Sequence, residues 1–515
     1  MKSRIYKSVL AVAALCFAFA ACDDQIDPVV QELNTSRVFS PVGLEVRVRN
    51  QTTVELNWSA RKEVDYYVVE FSEDEQFSSI YRSVQVTAAD LPLQEVLQGE
   101  TLYSIRVKGV KNGVADSKWT TTSVTTGAEQ IFLTSVDGDI QATEATLRWP
   151  EGSEVTHLVI NPGGTERPIS DEEKVSGIAV ISGLTGETVY TVLLKNDAKT
   201  RGTKSFTTLI DVGDALRVYP EDDLSVVIAN AAAGDVLVLY PGDYTAFSGT
   251  IVIDKNISIR GLYPYDKPKV HVSFELTDGV QDVRVQDLEM VGDGSILNAF
   301  NFTTSGTEYG ALVVENCLIH DYTRALFGGT GMASTIQTLS INNSFVYDIV
   351  SDGGDFIDFR VGYVANLNIT NSTFSNCAPA RDFVRLDNSA GTFPGRVSTV
   401  KIENCTLYGV ANVNNRRILY VRFADNSLTV RNTIIVATEG TYTNQASTSQ
   451  PVCSKNNYFN APGFHTAGYV ANVKIDESGN FTTLDPGFVN PAGRDFTVTN
   501  QTILDGGIGD PRWLP

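Results

Sequence analysis

The amino-acid sequence predicts an all-β protein, with two β-sandwiches followed by a parallel β-helix of about eight coils. The second half repeats a short pattern in which strand-type residues flank an asparagine. These asparagines are 27, 28, 33 and 28 residues apart: Asn316, Asn343, Asn371, Asn404 and Asn432. A fixed period of this size is typical of stacked coils that share one core. The first half alternates apolar and polar residues, which is typical of strands with one buried face.

The chain begins with a segment typical of a signal peptide, residues 1–21. Lys2, Arg4 and Lys7 precede an apolar run that is too short to span a bilayer. The run closes on two alanines before Cys22, and this ending resembles the bacterial lipobox. The resemblance implies that Cys22 is the site of lipidation. An ordinary secretory signal followed by a chance cysteine is the alternative.

Residues 22–37 are polar and without periodicity, so we expect a tether between a membrane and the folded domains. Asp23 and Asp24 directly follow the cysteine, and this acidic start resembles the surface-export signal of Bacteroidetes lipoproteins. The resemblance implies a lipid-anchored protein of the cell outer membrane, exposed at the surface. A lipid anchor attaches a protein without a transmembrane helix.

The charge of the chain argues against nucleic acid as a partner. The net charge is −21, and loss of the three cations of the signal peptide would bring it to about −24. Phosphate binding needs a basic face. An acidic polysaccharide as partner would likewise require a local cationic patch or bridging metal ions.

Residues 38–126 resemble a fibronectin type III domain. Their strand-like segments alternate, and Trp58 is the expected core tryptophan. Leu97 and Tyr103 have the separation of a tyrosine corner, in which a phenol hydroxyl ties a strand start to nearby backbone.

Residues 129–208 repeat this scheme with Trp149, Leu184 and Tyr190, which predicts a second domain of the same kind. We expect both domains to act as spacers. A carbohydrate-binding module is the alternative, although no exposed aromatic row is apparent.

The β-helix is expected over 215–515. A Pro-Gly-x-Tyr turn within 231–244 and an alternating strand at 251–261 resemble the first coils of the pectate-lyase-like right-handed β-helix superfamily. The segment 485–513 is similar to the closing part of uncharacterised Bacteroidetes surface lipoproteins with this fold. The resemblance implies a right-handed parallel β-helix. It is weak for chemistry, because β-helices host lyases, hydrolases, esterases and binding proteins.

The repeated asparagines are expected at bends, where each amide bonds to the asparagines above and below. Asn256 fits the first coil, Asp287 the next position of the ladder, and Asn457 the last. The cysteines after residue 22 are expected to be free, buried thiols without zinc, because no Cys-x-x-Cys spacing occurs: Cys317, Cys377, Cys405 and Cys453.

Three segments, 355–360, 382–387 and 417–422, align without gaps and predict one outer wall of the β-helix. Strand alternation sends one set of side chains inward: Ile357, Phe359, Val384, Leu386, Leu419 and Val421. The opposite register would bury the charges. Two outward rows result, Asp358–Arg385–Tyr420 and Arg360–Asp387–Arg422.

In the lyases of this superfamily the substrate groove lies along this sheet. Elimination from a uronic-acid chain needs a group that neutralises the sugar carboxylate and a base that removes the adjacent proton. The candidate catalytic residues are Arg385, Arg422 and Tyr420, and the candidate substrate-binding residues are Arg360, Arg381, Arg416, Asp358 and Asp387. Salt-bridge ladders that merely stabilise the sheet are the structural alternative.

Calcium is the one candidate cofactor, with Asp352, Asp355 and Asp382 as ligands and Asp348 nearby. A polygalacturonase-like pair of carboxylates ranks lower, because no Asn-x-Asp or Asp-Asp pair lies on the wall. His320 is the remaining candidate for catalysis, and a hydrogen bond within a turn is its structural alternative.

The sequence therefore predicts a surface lipoprotein that acts on, or binds, an acidic pectin-like polysaccharide. Catalysis would be lyase chemistry by β-elimination. The alternatives are a non-catalytic glycan-binding protein of a polysaccharide-uptake complex and an adhesin.

Overall fold

The computed structural model describes residues 36–329, 331–351 and 353–515. The predicted signal peptide, most of the tether, the lipidation site Cys22 and the candidate calcium ligand Asp352 lie outside these residues. The described chain forms two compact units, one with the N-terminal sandwiches and one with the β-helix from Leu209 to Pro515. Within the described ranges, no helix is long and apolar enough to cross a membrane.

The first sandwich packs sheet β1-β2-β5 against sheet β4-β3-β6-β7. Trp58 lies in the core between the sheets. The Tyr103 hydroxyl accepts a hydrogen bond from the Gln98 amide at 3.3 Å, so the predicted tyrosine corner is confirmed. The strands are β1 (Val42–Arg49), β2 (Thr53–Ser59), β3 (Tyr66–Ser72), β4 (Arg82–Val86), β5 (Leu93–Val96), β6 (Leu102–Val110) and β7 (Thr120–Thr125).

The second sandwich packs sheet β10-β9-β12-β13 against the pair β11-β8. Trp149, Leu184 and Tyr190 are all buried in its core. A short helix with a Ser170 capping box precedes β11. The elements are β8 (Glu144–Arg148), β9 (His157–Asn161), β10 (Thr165–Pro168), α1 (Asp171–Ser176), β11 (Ile178–Ser182), β12 (Val189–Asn196) and β13 (Lys199–Thr207).

The remaining strands pair in parallel and build the predicted right-handed β-helix, with about eight turns in the described part of the chain. Its first half contains β14 (Leu216–Val218), α2 (Leu224–Asn230), β15 (Val236–Leu239), β16 (Asp243–Ile253), β17 (Ile257–Gly261), β18 (Lys269–Leu276), β19 (Asp282–Gln286), β20 (Glu289–Val291), β21 (Asn298–Phe302), β22 (Glu308–Glu315), β23 (Leu318–His320), β24 (Ala325–Gly328) and β25 (Thr335–Asn342).

The second half continues the same stacking with shorter strands. It contains β26 (Phe345–Tyr347), β27 (Ile357–Phe359), β28 (Tyr363–Thr370), β29 (Thr373–Ser375), β30 (Val384–Leu386), β31 (Thr399–Glu403), β32 (Thr406–Tyr408), β33 (Leu419–Val421), β34 (Ser427–Arg431), β35 (Ile434–Val436), β36 (Val452–Ser454), β37 (Asn457–Phe459) and α3 (Gln501–Gly506). Short 3-10 turns lie at Ala88–Asp90, Pro462–Phe464, Pro491–Gly493 and Pro511–Trp513.

The strands of the β-helix form one long sheet from β14 to β36 and a second sheet with two arms. The arms meet at β18, which pairs with both β20 and β21. One arm of the second sheet runs through β20, β23, β26, β29, β32, β35 and β37. The other arm runs through β21, β24, β27, β30 and β33, and we call its outer surface the site face. A continuous apolar core fills the interior between the sheets.

The predicted asparagine ladder is present except for one step, where Asn371 donates at 2.9 Å to Asn342, the neighbour of Asn343. Asn316, Asn404 and Asn432 each donate to the ladder residue of the preceding coil, at 2.6–3.1 Å. Each sits in the left-handed conformation, which asparagine tolerates better than most residues. The last position was predicted wrongly. Lys455 adopts the left-handed conformation there, and Asn457 lies two residues later, paired with Ile434 in β37.

The four predicted thiols are free and buried, which confirms the prediction. Cys317 occupies the row of small residues after the ladder, where its amide donates to the Ser344 hydroxyl at 3.1 Å. Burial raises the pKa of Cys317 to about 12. This thiol therefore packs as a small core residue.

Candidate functional site

The register predicted for the outer wall is confirmed. Asp358 pairs with Arg385, and Arg385 pairs with Tyr420, on the parallel strands β27, β30 and β33. The six residues predicted to face inward are all fully buried in the core. Alternation along three short strands therefore places the charged side chains together on the site face.

The charges on this face are layered, which the sequence did not reveal. The carboxylates lie beneath, with side chains at most 2% exposed: Asp355, Asp358, Asp382 and Asp387. The guanidinium groups lie above them, with side chains 15–45% exposed: Arg360, Arg381, Arg385, Arg417 and Arg422. We call these nine side chains together with Tyr420 the arginine–aspartate network. Solvent therefore meets mainly positive charge here.

Arg360 closes the β27 end of the network. Its Nε and Nη2 donate to the two oxygens of Asp358 at 2.8 and 3.0 Å, in a bidentate pair. Asp355 accepts more distant contacts from Arg360, Arg381 and Arg385, at 3.4–3.5 Å. The buried carboxylates thus hold the guanidinium groups in fixed positions.

Arg417 closes the other end, and sequence analysis missed it. Its Nε and Nη2 donate to the two oxygens of Asp382, at 2.9 and 2.8 Å. Sequence analysis had selected its neighbour Arg416 instead. The gapless alignment carried the missing signal, because it places Arg417 at the position that Asp355 and Asp382 occupy in the preceding coils.

The carboxylates hold Arg385 and Arg422 at longer distances, 3.2–3.6 Å, than they hold Arg360 and Arg417. The Nη2 of Arg385 contacts Asp387 at 3.2 Å, while its Nε is buried without a hydrogen-bond partner among the described residues. Arg422 is the most exposed guanidinium of the network and lies 3.6 Å from Asp387. These side chains correspond to two of the three predicted catalytic residues.

Both guanidinium groups are locked in their charged form. Burial lowers the pKa of Arg385, but the hydrogen bond with Asp387 and the charges of Asp355 and Asp387 outweigh it, so the pKa is raised. The hydrogen bond to Tyr420 and the charge of Asp387 raise the pKa of Arg422. A guanidinium with a raised pKa can neutralise a carboxylate but does not accept a proton.

Tyr420, the third predicted catalytic residue, is almost buried among arginines. The centres of Arg417 and Arg385 lie 4.6 and 4.9 Å from its ring centroid. Its hydroxyl oxygen accepts a hydrogen bond from the Nη1 of Arg422 at 3.2 Å. Cation–π stacking of this kind fixes the guanidinium planes.

The described aspartates do not fit the predicted calcium site. Asp355 and Asp382 are paired with guanidinium groups, which repel a cation. Burial, then the nearby charges of Asp382 and Asp358, raise the pKa of Asp355. Asp348 pairs with Arg494. Among the residues that the structure describes, no group of three or more His, Cys, Asp or Glu side chains could hold a metal ion.

His320 lies in β23, on the other arm of the sheet. Its ring nitrogens contact Asp321 at 2.8 Å and Glu289 at 3.3 Å, and its ring stacks on Tyr347. It is thus occupied by local contacts.

His271 is held by two carboxylates. Its Nε2 contacts Asp243 at 2.8 Å and its Nδ1 contacts Asp293 at 2.9 Å. A neutral imidazole can donate from only one nitrogen, so this geometry fits the doubly protonated ring.

The fold and the network define a class of protein: an all-β chain with fibronectin type III-like sandwiches and a parallel β-helix that bears a cationic face. Two stretches of the β-helix match family models. Residues 242–377 match a domain of unknown function, DUF4957, and residues 400–513 match a second, DUF5123. Neither match spans half of the chain. No curated protein matches the sequence.

Solved structures of fibronectin type III arrays are similar to part of the chain. A two-domain segment of chicken tenascin shows 20% identity and a TM-score of 0.24, covering 32% of this chain and 97% of its own. The central array of RIM-binding protein shows 18% identity and a TM-score of 0.14, covering 33% and 61%. The FN1–FN3 domains of chicken CNTN1 show 17% identity and a TM-score of 0.15, covering 33% and 66%. The strand pairing described above carries the assignment of the sandwiches, since these scores are low.

Proposed function

We propose that the β-helix binds an acidic polysaccharide of the uronic-acid class, such as pectin, on its site face. The layering of the network is the observation that supports this most. Exposed guanidinium groups match sugar carboxylates in shape and charge. The buried aspartates keep these groups oriented before a ligand arrives, which lowers the entropy lost on binding.

The charge of the whole chain makes this face distinctive. The net charge is −21, so a polyanion is repelled by most of the surface. Among the described residues of the network, five guanidinium groups stand against four carboxylates, and the carboxylates lie underneath. Binding of a polyanion would therefore be favoured at this region.

The stacking of the coils favours a polymer over a single sugar. Side chains of one row recur about every 4.8 Å along the β-helix. A chain with a carboxylate on successive sugars can contact several arginines at once. Each further contact is then intramolecular, so weak single contacts add up to useful affinity.

A pectate-lyase-like activity is the second candidate, and Tyr420 favours it. Arg385 would neutralise the sugar carboxylate, and a base would take the proton on the adjacent carbon. The glycosidic C–O bond would break as the C=C bond forms, and the departing sugar oxygen would take a proton from water. Tyr420 is the remaining candidate base, because Arg385 and Arg422 are held as cations.

We propose a cellular setting from the sequence resemblances alone. We place the protein at the outer membrane of a Bacteroidetes-type bacterium, anchored by a lipid on Cys22. The sandwiches would act as spacers, and the bound polymer would pass to an uptake complex. An adhesive role without uptake is the alternative for the same anchored architecture.

Binding and cleavage are separated by incubating the purified protein with pectin, alginate and glycosaminoglycans, with and without calcium. Retarded migration in gels that contain polysaccharide, lost in Arg385→Ala, supports binding. New ultraviolet absorbance from an unsaturated product, lost in Tyr420→Phe, supports the lyase. Arg284→Ala is the matched control, since Arg284 is an exposed arginine of the long sheet. Absence of both signals with every polymer contradicts the proposal.

A further inference from the structure

The row of outward side chains that carries Asp358 and Arg385 extends beyond the network. Backbone pairing continues it towards the N-terminal coils from Asp358 to Gly328, then to Asn301 and Glu275. Three coil-to-coil steps of about 4.8 Å place Glu275 roughly 14 Å from Asp358. A polymer that follows the row past the network meets this extension, which is formed by β18, β21 and β24.

The extension presents amides and hydroxyls where the network presents cations. Asn298 and Asn301 are half-buried on β21, and the Asn298 amide nitrogen lies 3.4 Å from the Asn301 oxygen. The Thr303 hydroxyl lies 3.5 Å from Glu275. The side-chain oxygen of Asn298 is buried and has no hydrogen-bond partner among the described residues. A buried amide oxygen without a donor is costly, and a ligand hydroxyl would relieve that cost.

Gly328 holds the row position between the extension and the network, so this coil contributes no side chain to the row. A Cβ atom at Gly328 would lie 2.6 Å from the Asn298 amide nitrogen and 3.0 Å from the Asn301 oxygen. Because glycine stands there, both amides occupy the space that a side chain at this position would fill. Arg324, which directly precedes β24, extends its side chain over Gly354 of the next coil.

We infer that the ligand is a heteropolysaccharide, with neutral sugars on the extension and acidic sugars on the network. This inference rests on the proposed function. A primary amide both donates and accepts, so it pairs with sugar hydroxyls, whereas a guanidinium fork prefers a carboxylate. β21, β24 and the part of β18 that pairs with β21, residues 274–276, contain no lysine or arginine, so the extension offers a run of acidic sugars no counter-charge.

Titration calorimetry with defined polymers tests this. The probes are a homopolymer of uronic acid and a polymer in which uronic acid alternates with a neutral sugar. Asn301→Ala should weaken binding of the mixed polymer by about tenfold, the effect of losing one good hydrogen bond, and leave the homopolymer unchanged. Arg385→Ala should weaken both. Asn112→Ala, on an exposed asparagine of the first sandwich, is the control. Asn298→Ala provides a second variant if Asn301→Ala does not fold.

The outcomes separate the two proposals. Equal binding of the mixed polymer by Asn301→Ala and the unaltered protein overturns the neutral-sugar subsite, as does an equal loss for both polymers. Failure of the unaltered protein to bind either polymer overturns the proposed function itself. A loss in Arg385→Ala alone keeps the function and removes the subsite.

Discussion

Removal of Arg417 tests the network as a structural unit. Arg417 forms a bidentate pair with Asp382, whose side chain is 2% exposed. The variant Arg417→Ala leaves that carboxylate buried without its main partner. Breaking a buried pair from one side costs about 3–5 kcal/mol, because the remaining charge is uncompensated.

An exposed pair on the same β-helix supplies the comparison. Arg284 and Glu315 are 3.2 Å apart, with side chains 47% and 32% exposed. Exposed pairs contribute about 0–1 kcal/mol. Arg284→Ala should therefore have little effect, although it removes the same side chain from the same domain.

Hydrogen exchange measured by mass spectrometry reports the local stability of β30 and β33 in each variant. A loss of about 3 kcal/mol corresponds to exchange faster by more than 100-fold. The second substitution Asp382→Asn, in the Arg417→Ala background, should recover part of the loss because it removes the stranded charge. Equal protection in Arg417→Ala and Arg284→Ala would refute the reasoning.

Other predictions concern a histidine, the ladder and a thiol. Burial lowers the pKa of His271, but hydrogen bonds to Asp243 and Asp293 outweigh it and raise the pKa, so its contribution to stability is complete below about pH 6.5 and is lost as pH rises through the raised pKa. NMR titration should show the raised pKa of His271, and His271→Gln should remove this histidine's share of the pH dependence of stability. A ring that titrates below pH 6.5 contradicts the prediction. Asn404→Ala should lower the free energy of unfolding by about 1–2 kcal/mol, because it removes the side-chain hydrogen bonds of the ladder and places alanine in a left-handed conformation. Asn404→Gly should cost less, because glycine adopts that conformation easily. Urea unfolding compares the two variants, and equal costs would argue against backbone strain. Cys317 should resist iodoacetamide until the protein unfolds, because burial raises its pKa to about 12. Mass spectrometry measures the labelling, and a labelled Cys317 in the native protein would contradict the prediction.

The fold was predictable because its signals are local. Alternation and the cost of burying charge placed Ile357 and Val384 inside and Arg385 outside. The ladder followed from spacing alone. Its last position was missed because Lys455 replaces asparagine there, and two asparagines directly after it gave a misleading signal.

The depth of the site was not predictable in the same way. A single strand shows that Asp358 and Asp387 point outward, but their burial depends on guanidinium groups that fold over them. Two contacts join residues that are two positions apart in the chain, Arg360 with Asp358 and Arg385 with Asp387. Whether a long side chain covers its neighbour or extends into solvent is set by packing, which sequence alternation does not encode.

Calorimetric titration of an acidic oligosaccharide onto the protein and onto Arg385→Ala/Arg422→Ala addresses the cationic face most directly. The control pair, Arg284→Ala/Arg431→Ala, removes two arginines of the long sheet whose side chains are 47% and 51% exposed. Layered charge predicts a loss of about 100-fold or more for the first pair, the sum of two charged hydrogen-bonding groups, and unchanged affinity for the second. The same affinity in both double variants would contradict it.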